Sequence, residues 1–363
     1  MGNAGNMLRL ARQLRGLQQK EACEKLSVST AELSRIENGV KEPSQEVISA
    51  AASVFGLPDS FFGQADTVYG APVSVHPAQW RKKADVTAGD LHRVVAELNV
   101  RVMHLRRLLE ATEFEPLRNV PRCDSDAYDN DAERVAAIVR GHWQAPDGPI
   151  RNLTALVEEA GVVVAHSDFG GSSISGVTFR VPGVPPLVML NTMHPSDRMR
   201  FTLAHELAHI VMHRFPTPEM EEEADEFASC FLAPTADIKP HFAGRKVDLR
   251  LLAALKPEWK MSMASLVFAA KRCSAITESQ ATWIWKQFAM NNYRLREPPE
   301  LDFPQEQPHT LSDLVSLHVQ DLGYSLADLA TAMHMREDEF ARAYSIEIPG
   351  EKTSKPGHLR IVR

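Results

Sequence analysis

Residues 201–213 read FTLAHELAHIVMH, and the side chains in this stretch that can do chemistry are His205, Glu206 and His209. On an α-helix, residues four apart lie one turn above each other. His205 and His209 can therefore aim one ring nitrogen each at a single point, as two ligands of a tetrahedral zinc ion must. Glu206 stands next to the first histidine, where a carboxylate can take a proton from water activated by such an ion; this is the H-E-x-x-H arrangement of hydrolytic zinc sites. A catalytic zinc needs a third protein ligand and keeps its fourth position open. Twelve residues after His209 comes EEEADEFASCFLAP, with Glu221 and Asp225 again four apart. Ala224, Phe227, Ala228, Phe231 and Leu232 give that stretch an apolar stripe to bury. One helix supplying two histidines and the next a carboxylate is the layout of a His2Glu site. Asp225, one turn on, could orient a ligand histidine through its second ring nitrogen. The acidic run also has two plainer readings, a solvated face or charge favoured at a helix N-terminus.

Two such helices need a scaffold. The apolar runs GVVVA (161–165), GVTFRV (176–181) and PLVML (186–190) read as strands. Helical pattern covers Ala132–Trp143, a segment starting near Asn152, 196–213 and 219–232, and dominates to about residue 346. The last residues, PGEKTSKPGHLRIVR, carry no burial pattern and are expected to form a poorly ordered tail.

The segments NTMHPSDRMRFTLAHELAHIVMH and EEEADEFASCFLAP, with the lead-in GPIRNLTALVEEAGVVVAHSDFGGSSISGVTF, resemble the core of the ImmA/IrrE family of metallopeptidases over about residues 75–240. The resemblance implies His205, His209 and Glu221 as zinc ligands and Glu206 as general base in the hydrolysis of a peptide bond. Ala208 stands where that family often has glycine, and Asp225 where it often has asparagine; neither change removes a ligand. A His2Glu set also accepts manganese. His194 and His213 lie close by in sequence and read as surface or packing residues.

The first 65 residues carry a second pattern. LQQKEACEKLSVSTAELSRIENGVKEPS (17–44) resembles the phage-repressor (XRE-like) helix-turn-helix, with Gln19 opening its second helix, SVS forming the turn and TAELSRIENG as the recognition helix. Such a helix enters the major groove with its N-terminal side chains toward base edges. Thr30, Ala31, Glu32 and Arg35 are the candidate base-reading residues, and Gln19 a candidate anchor on phosphate or base. Glu32 is awkward near phosphates, although a carboxylate can accept from a cytosine amine. Residues 1–65 hold seven Lys/Arg and seven Asp/Glu, so the module has no bulk positive charge. Arg9, Arg12 and Arg15 recur three apart and read either as a phosphate-binding stripe or as a solvated face. Modules of this kind bind two half-sites as dimers. Leu91, Val95, Leu98, Val102, Leu105 and Leu109 form a heptad seam that could pair two chains, or pack within one.

Bulk properties set limits on these readings. A chain of 363 residues has room for two or three domains. With 44% apolar and 24% charged residues it is globular in composition, and no apolar run approaches a membrane span. Four scattered cysteines and no secretory signal fit a reducing cytoplasm. A net charge of −7 does not announce a nucleic-acid binder. Near the end, SLADLATAMHMREDEFARAY (325–344) faintly echoes the first module, but its would-be reading helix is acidic and suits packing or partner binding better than DNA.

The expected architecture is multidomain and mainly α. A helix-turn-helix domain (1–65) and a linker (66–85) precede a small α+β zincin-like metallopeptidase core (86–240), a helical C-terminal region (241–346) and a flexible tail (347–363). The expected function is a cytoplasmic DNA-binding regulator whose zinc peptidase cleaves a partner repressor, or its own linker, in response to a stress or phage-related signal. The partners would be double-stranded operator DNA, a protein substrate such as a repressor or a cognate toxin, and a second copy of the chain. The alternative is a non-proteolytic repressor or antitoxin that uses the same fold as a sensor or toxin-binding surface.

Overall fold

The computed structural model describes residues 3–72, 87–170, 173–344 and 359–361. Most of the expected linker and tail therefore lies outside the described residues. Residues 359–361 form a short strand paired with Thr112–Phe114, so at these three positions backbone pairing replaces the expected loose tail.

The head is built from α1 (Ala4–Leu14), α2 (Gln19–Leu26), α3 (Thr30–Glu37) and α4 (Gln45–Phe55). Its boundaries follow local chemistry. Ser29 Oγ accepts from the Glu32 N–H and Ser44 Oγ from the Val47 N–H, satisfying donors that a helix start leaves open. Ser27 ends α2 in the left-handed region at φ 55°, so the serine carries a backbone that glycine would adopt more readily. Met7, Leu8, Ala11, Leu33, Ile36, Phe55, Phe61 and Phe62 fill the core. Here α1 meets α3 so closely that a Cβ on Gly5 would fall 2.0 Å from the Ile36 carbonyl oxygen.

The heptad helix, α5 (Ala88–Glu110), is consumed inside the chain. Val94, Leu98, Val102, Leu105 and Leu108 face the body's core, while Ala96, Val100 and Met103 face the head's core. Packing takes the intramolecular alternative, and α5 becomes the wall shared by head and body.

In the body, β1 (Thr112–Phe114), α6 (Ala132–His142) and α7 (Leu153–Glu159) lead into a three-stranded sheet of β2 (Val163–Ser167), β3 (Gly176–Phe179) and β4 (Leu187–Asn191). The strand order is β2-β4-β3, with β2 parallel and β3 antiparallel to β4. Val163, Ala165, Leu187 and Met189 point to the α5 side; Val164, Val188 and Leu190 point to the opposite core. Burial on both faces explains why these strands read as continuous apolar runs.

Eight helices follow: α8 (Ser196–Val211), α9 (Met220–Leu232), α10 (Thr235–Phe242), α11 (Leu249–Trp259), α12 (Met263–Arg272), α13 (Glu278–Met290), α14 (Thr310–Gln320) and α15 (Leu326–Ala332). Helix α16 (Glu337–Ala343) and strand β5 (Leu359–Ile361) complete the described chain. One hydrophobic core runs from α6 through α8 and α9 to Trp259, Leu266 and Phe288, continuing through residue 240, where the sequence reading placed a boundary. No helix among the described residues is long and apolar enough to cross a membrane.

Helices α15 and α16 repeat the head's turn. His334 at φ 52° precedes α16 by three residues, as Ser27 precedes α3, and Met333 and Phe340 are buried as Leu26 and Leu33 are. His104 of α5 pins this module, accepting at Nδ1 from the Tyr344 hydroxyl (2.7 Å) and donating from Nε2 to the Met333 carbonyl (3.1 Å). Burial, then the charges of Arg101 and Arg107, push its pKa down to about 3. An unfolded histidine titrates near 6.5. Between those values the unfolded chain binds a proton that the folded chain does not. This contribution to stability is thus complete above about pH 6.5 and falls by roughly 1–1.5 kcal/mol per pH unit toward pH 3. Urea melts from pH 7 to 4 are expected to show this loss, and His104→Gln to flatten it.

Candidate metal centre

Helix α8 is held at both ends. Asp197 in its first turn pairs with the buried Lys256, and Arg200 pairs with Glu306. At its C-terminal end Arg180, just past β3, donates to the Ile210 carbonyl (3.3 Å) and the His213 carbonyl (2.7 Å), occupying acceptors that a helix end leaves open. Along its length α8 presses on β3, where a Cβ on Gly176 would lie 2.5 Å from Thr202 Cγ2. The helix therefore cannot rotate to re-aim its histidines.

His205 Nε2 and His209 Nε2 lie 3.1 Å apart. Glu221, in the first turn of α9, places Oε2 3.7 Å from His205 Nε2 and Oε1 3.5 Å from His209 Nε2. Two nitrogens on one tetrahedral zinc stand about 3.3 Å apart, so the donor set fits a small divalent cation. Glu221 Oε1 is also buried and accepts no hydrogen bond among the described residues, as an oxygen reserved for a cation would. Glu206 is buried beside them.

The outer ring nitrogens are also engaged. His205 Nδ1 meets Asp225 Oδ1 at 2.8 Å. His209 Nδ1 meets His213 Nδ1 at 2.8 Å, and His213 Nε2 meets Glu223 Oε2 at 3.0 Å. Burial lowers the pKa of His205, but the Asp225 hydrogen bond and the carboxylates of Glu206, Asp225 and Glu221 outweigh it, and the net shift is upward. Burial, then the repulsion that a proton on His205 or His213 would add and the charge of Arg180, drives His209 well below the ordinary histidine range. His209 is thus held neutral with a lone pair to offer.

His205, Glu206, His209, Glu221 and Asp225 therefore come together as a group. His213 and Glu223 join them, which the sequence reading did not expect of either. The available signal was the further four-residue step from His209 to His213, but His213 lies beyond the end of α8 and Glu223 within an acidic run that has plainer explanations.

Beside this cluster of candidate donors lies a cavity of about 410 Å³ lined by His209, His213, Arg180, Arg214, Thr178, Phe179 and Val181. Its far wall is Tyr69, Gly70, Ala71 and Pro72, the start of the linker. The Tyr69 ring stacks edge-on against Phe179 at 5.9 Å, and Asn99 bonds both the N–H and C=O of Tyr69.

In the head, Thr30, Ala31 and Arg35 are exposed on α3. Glu32 is half-buried and paired with Lys41, which neutralises the charge that made it awkward near phosphate. Gln19 Nε2 donates to Glu37 Oε2 at 3.1 Å, so its amide ties α2 to α3. The arginine stripe needs correction. Arg12 is buried in a two-pronged pair with Glu37 (2.6 and 2.9 Å). Arg9 binds the Glu37 carbonyl, and Arg15 binds the Phe55 carbonyl and Glu339. These side chains hold helices together because three-residue spacing turns about 300° around a helix and carries the row inward.

Residues 157–271 match the family model described as IrrE N-terminal-like domain, and residues 8–62 match the model described as Helix-turn-helix. The chain thus joins an XRE-type helix-turn-helix head, of the kind that binds DNA, to a body with the metallopeptidase-like fold of the ImmA/IrrE proteins. No curated protein matches it.

Proposed function

We propose that this protein is a DNA-binding regulator in which His205, His209 and Glu221 hold a zinc ion and Glu206 serves peptide-bond hydrolysis, so that scission of the linker or of a partner repressor ends repression. The convergence of three metal-donor groups from α8 and α9 carries this reading. When bound, an ion of this kind polarises a carbonyl and acidifies water. Glu206 takes the water's proton on its carboxylate and delivers it to the departing amine. Asp225 keeps His205 oriented, with Nδ1 engaged and Nε2 turned toward the site. Manganese is the second candidate metal, since the donor set accepts both.

The position of Tyr69–Pro72 supports the cis version. These four linker residues line the cavity that His209 and His213 also line. Zinc-loaded full-length protein is expected to accumulate a cut between residues 66 and 85, seen as two fragments by intact mass, and a chelator to stop it. Uncut protein under all conditions, with a partner repressor also intact, would refute the proteolytic reading.

For the head, Thr30, Ala31 and Arg35 are the proposed base-reading residues, with Gln19 and Glu32 shaping that surface through their partners. Arg35→Ala is expected to weaken operator binding by about 10-fold to 100-fold and to relax preference at one base pair, measured by fluorescence anisotropy at fixed salt.

A further inference from the structure

We propose that Glu223 and His213 form a relay that holds His209 in the one tautomer able to bind a metal ion; this rests on the metal-site reading above. Two contacts fix where the hydrogens sit. An ionised carboxylate only accepts, so His213 Nε2, 3.0 Å from Glu223 Oε2, carries the hydrogen. In a neutral imidazole the other nitrogen then has the lone pair. His213 Nδ1 can only accept from His209 Nδ1 at 2.8 Å. His209 must carry its hydrogen there, which leaves the Nε2 lone pair facing His205 Nε2 and Glu221. The reverse chain needs His213 to donate from both nitrogens, as a cation. That would put a proton on His209 Nε2, block ligation, and set a second positive charge beside the Arg180 guanidinium that caps this end of α8.

The two ligand histidines are thus oriented differently. His205 relies on Asp225, whose side chain is 63% exposed, whereas His213 and Glu223 are 2% and 11% exposed as side chains. Water competes with the first contact and hardly with the second, so the buried chain is the firmer constraint. Glu223 also lies two residues after Glu221 in the first turn of α9. One turn of helix therefore supplies both a candidate ligand and the anchor for its neighbour ligand's tautomer.

The test is zinc affinity of the full chain by competition with a chromophoric chelator, with histidine 15N NMR to read which ring nitrogen of His209 bears hydrogen. His213→Leu is expected to weaken zinc binding about 10-fold to 100-fold. His213→Asn, whose amide oxygen can accept from His209 Nδ1, is expected to recover most of that loss. Glu223→Gln keeps the shape, should fold even where His213→Leu does not, and is expected to weaken binding about 10-fold. Affinity unchanged in His213→Leu or Glu223→Gln overturns the relay. Equal losses in His213→Leu and His213→Asn, in step with melting temperature, also overturn it in favour of simple packing. If the unaltered chain takes up no zinc, the metal-site reading falls and the relay with it; if His205→Ala abolishes uptake while the His213 and Glu223 variants bind normally, only the relay falls.

Discussion

Glu206→Gln is expected to slow peptide-bond scission by about 10²–10⁴-fold, the range for losing a general acid–base group, and to leave zinc content unchanged. Glutamine keeps the volume and helical position of a buried residue. Glu206 is also not among the three groups whose donor atoms converge. What disappears is a carboxylate that can accept a proton and release it again. Fragment accumulation over time measures the first effect, and metal analysis of the same sample the second. Release of the operator on induction reports the consequence in cells. If the variant still releases DNA normally, proteolysis is not the switch, and the same fold acts as a sensor or as a surface that holds a toxin.

Arg12→Ala should unfold the head without disturbing the candidate metal centre. The variant leaves the Glu37 carboxylate buried without its two-pronged partner, a loss that typically costs about 3–5 kcal/mol. Glu37 would keep only the Gln19 amide among the contacts that now satisfy it, and the Leu17 carbonyl would lose its donor. A small domain holds about 5–15 kcal/mol in total, so operator binding is expected to collapse and α1–α4 to become protease-sensitive. Zinc uptake should stay normal, because α8 is anchored from the other side, through Lys256 and Glu306. A double change, Arg12→Met with Glu37→Leu, is expected to restore much of the lost stability, since apolar side chains of similar size can replace a buried ion pair. Thermal melts of the three variants check this. Equal stability of Arg12→Ala and the unaltered chain would show the pair to be dispensable.

Some of this was legible before any coordinates because it depends on spacing alone. Four-residue steps put His205 above His209, and an apolar stripe beginning at Ala224 fixed which way α9 would turn its acidic residues. The turn at SVS (27–29) and the helix start at Ser44 are local effects of two or three residues. The three apolar runs announced strands, and the structure added that both faces of their sheet are buried. Periodicity left the outcome open where burial had more than one taker. The heptad seam of α5 has the pattern of a dimer interface, yet the sheet and α14 cover it from within the same chain. The arginines of α1 have the spacing of a phosphate stripe, yet Glu37, twenty-five residues away, draws Arg12 inside.

The sequence by itself was enough to show two local patterns, a helix-turn-helix and a His-Glu-x-x-His step, because each is written within a single helix or helix pair. Only the tertiary structure decided that Glu221 reaches the two imidazoles, that Glu223 and His213 stand behind one of them, and that Tyr69–Pro72 line the cavity beside His209. Those are distances between segments that the chain's periodicity does not encode. They follow from how α8 is wedged between β3 and α9, where a glycine, a threonine and two buried ion pairs leave it one orientation.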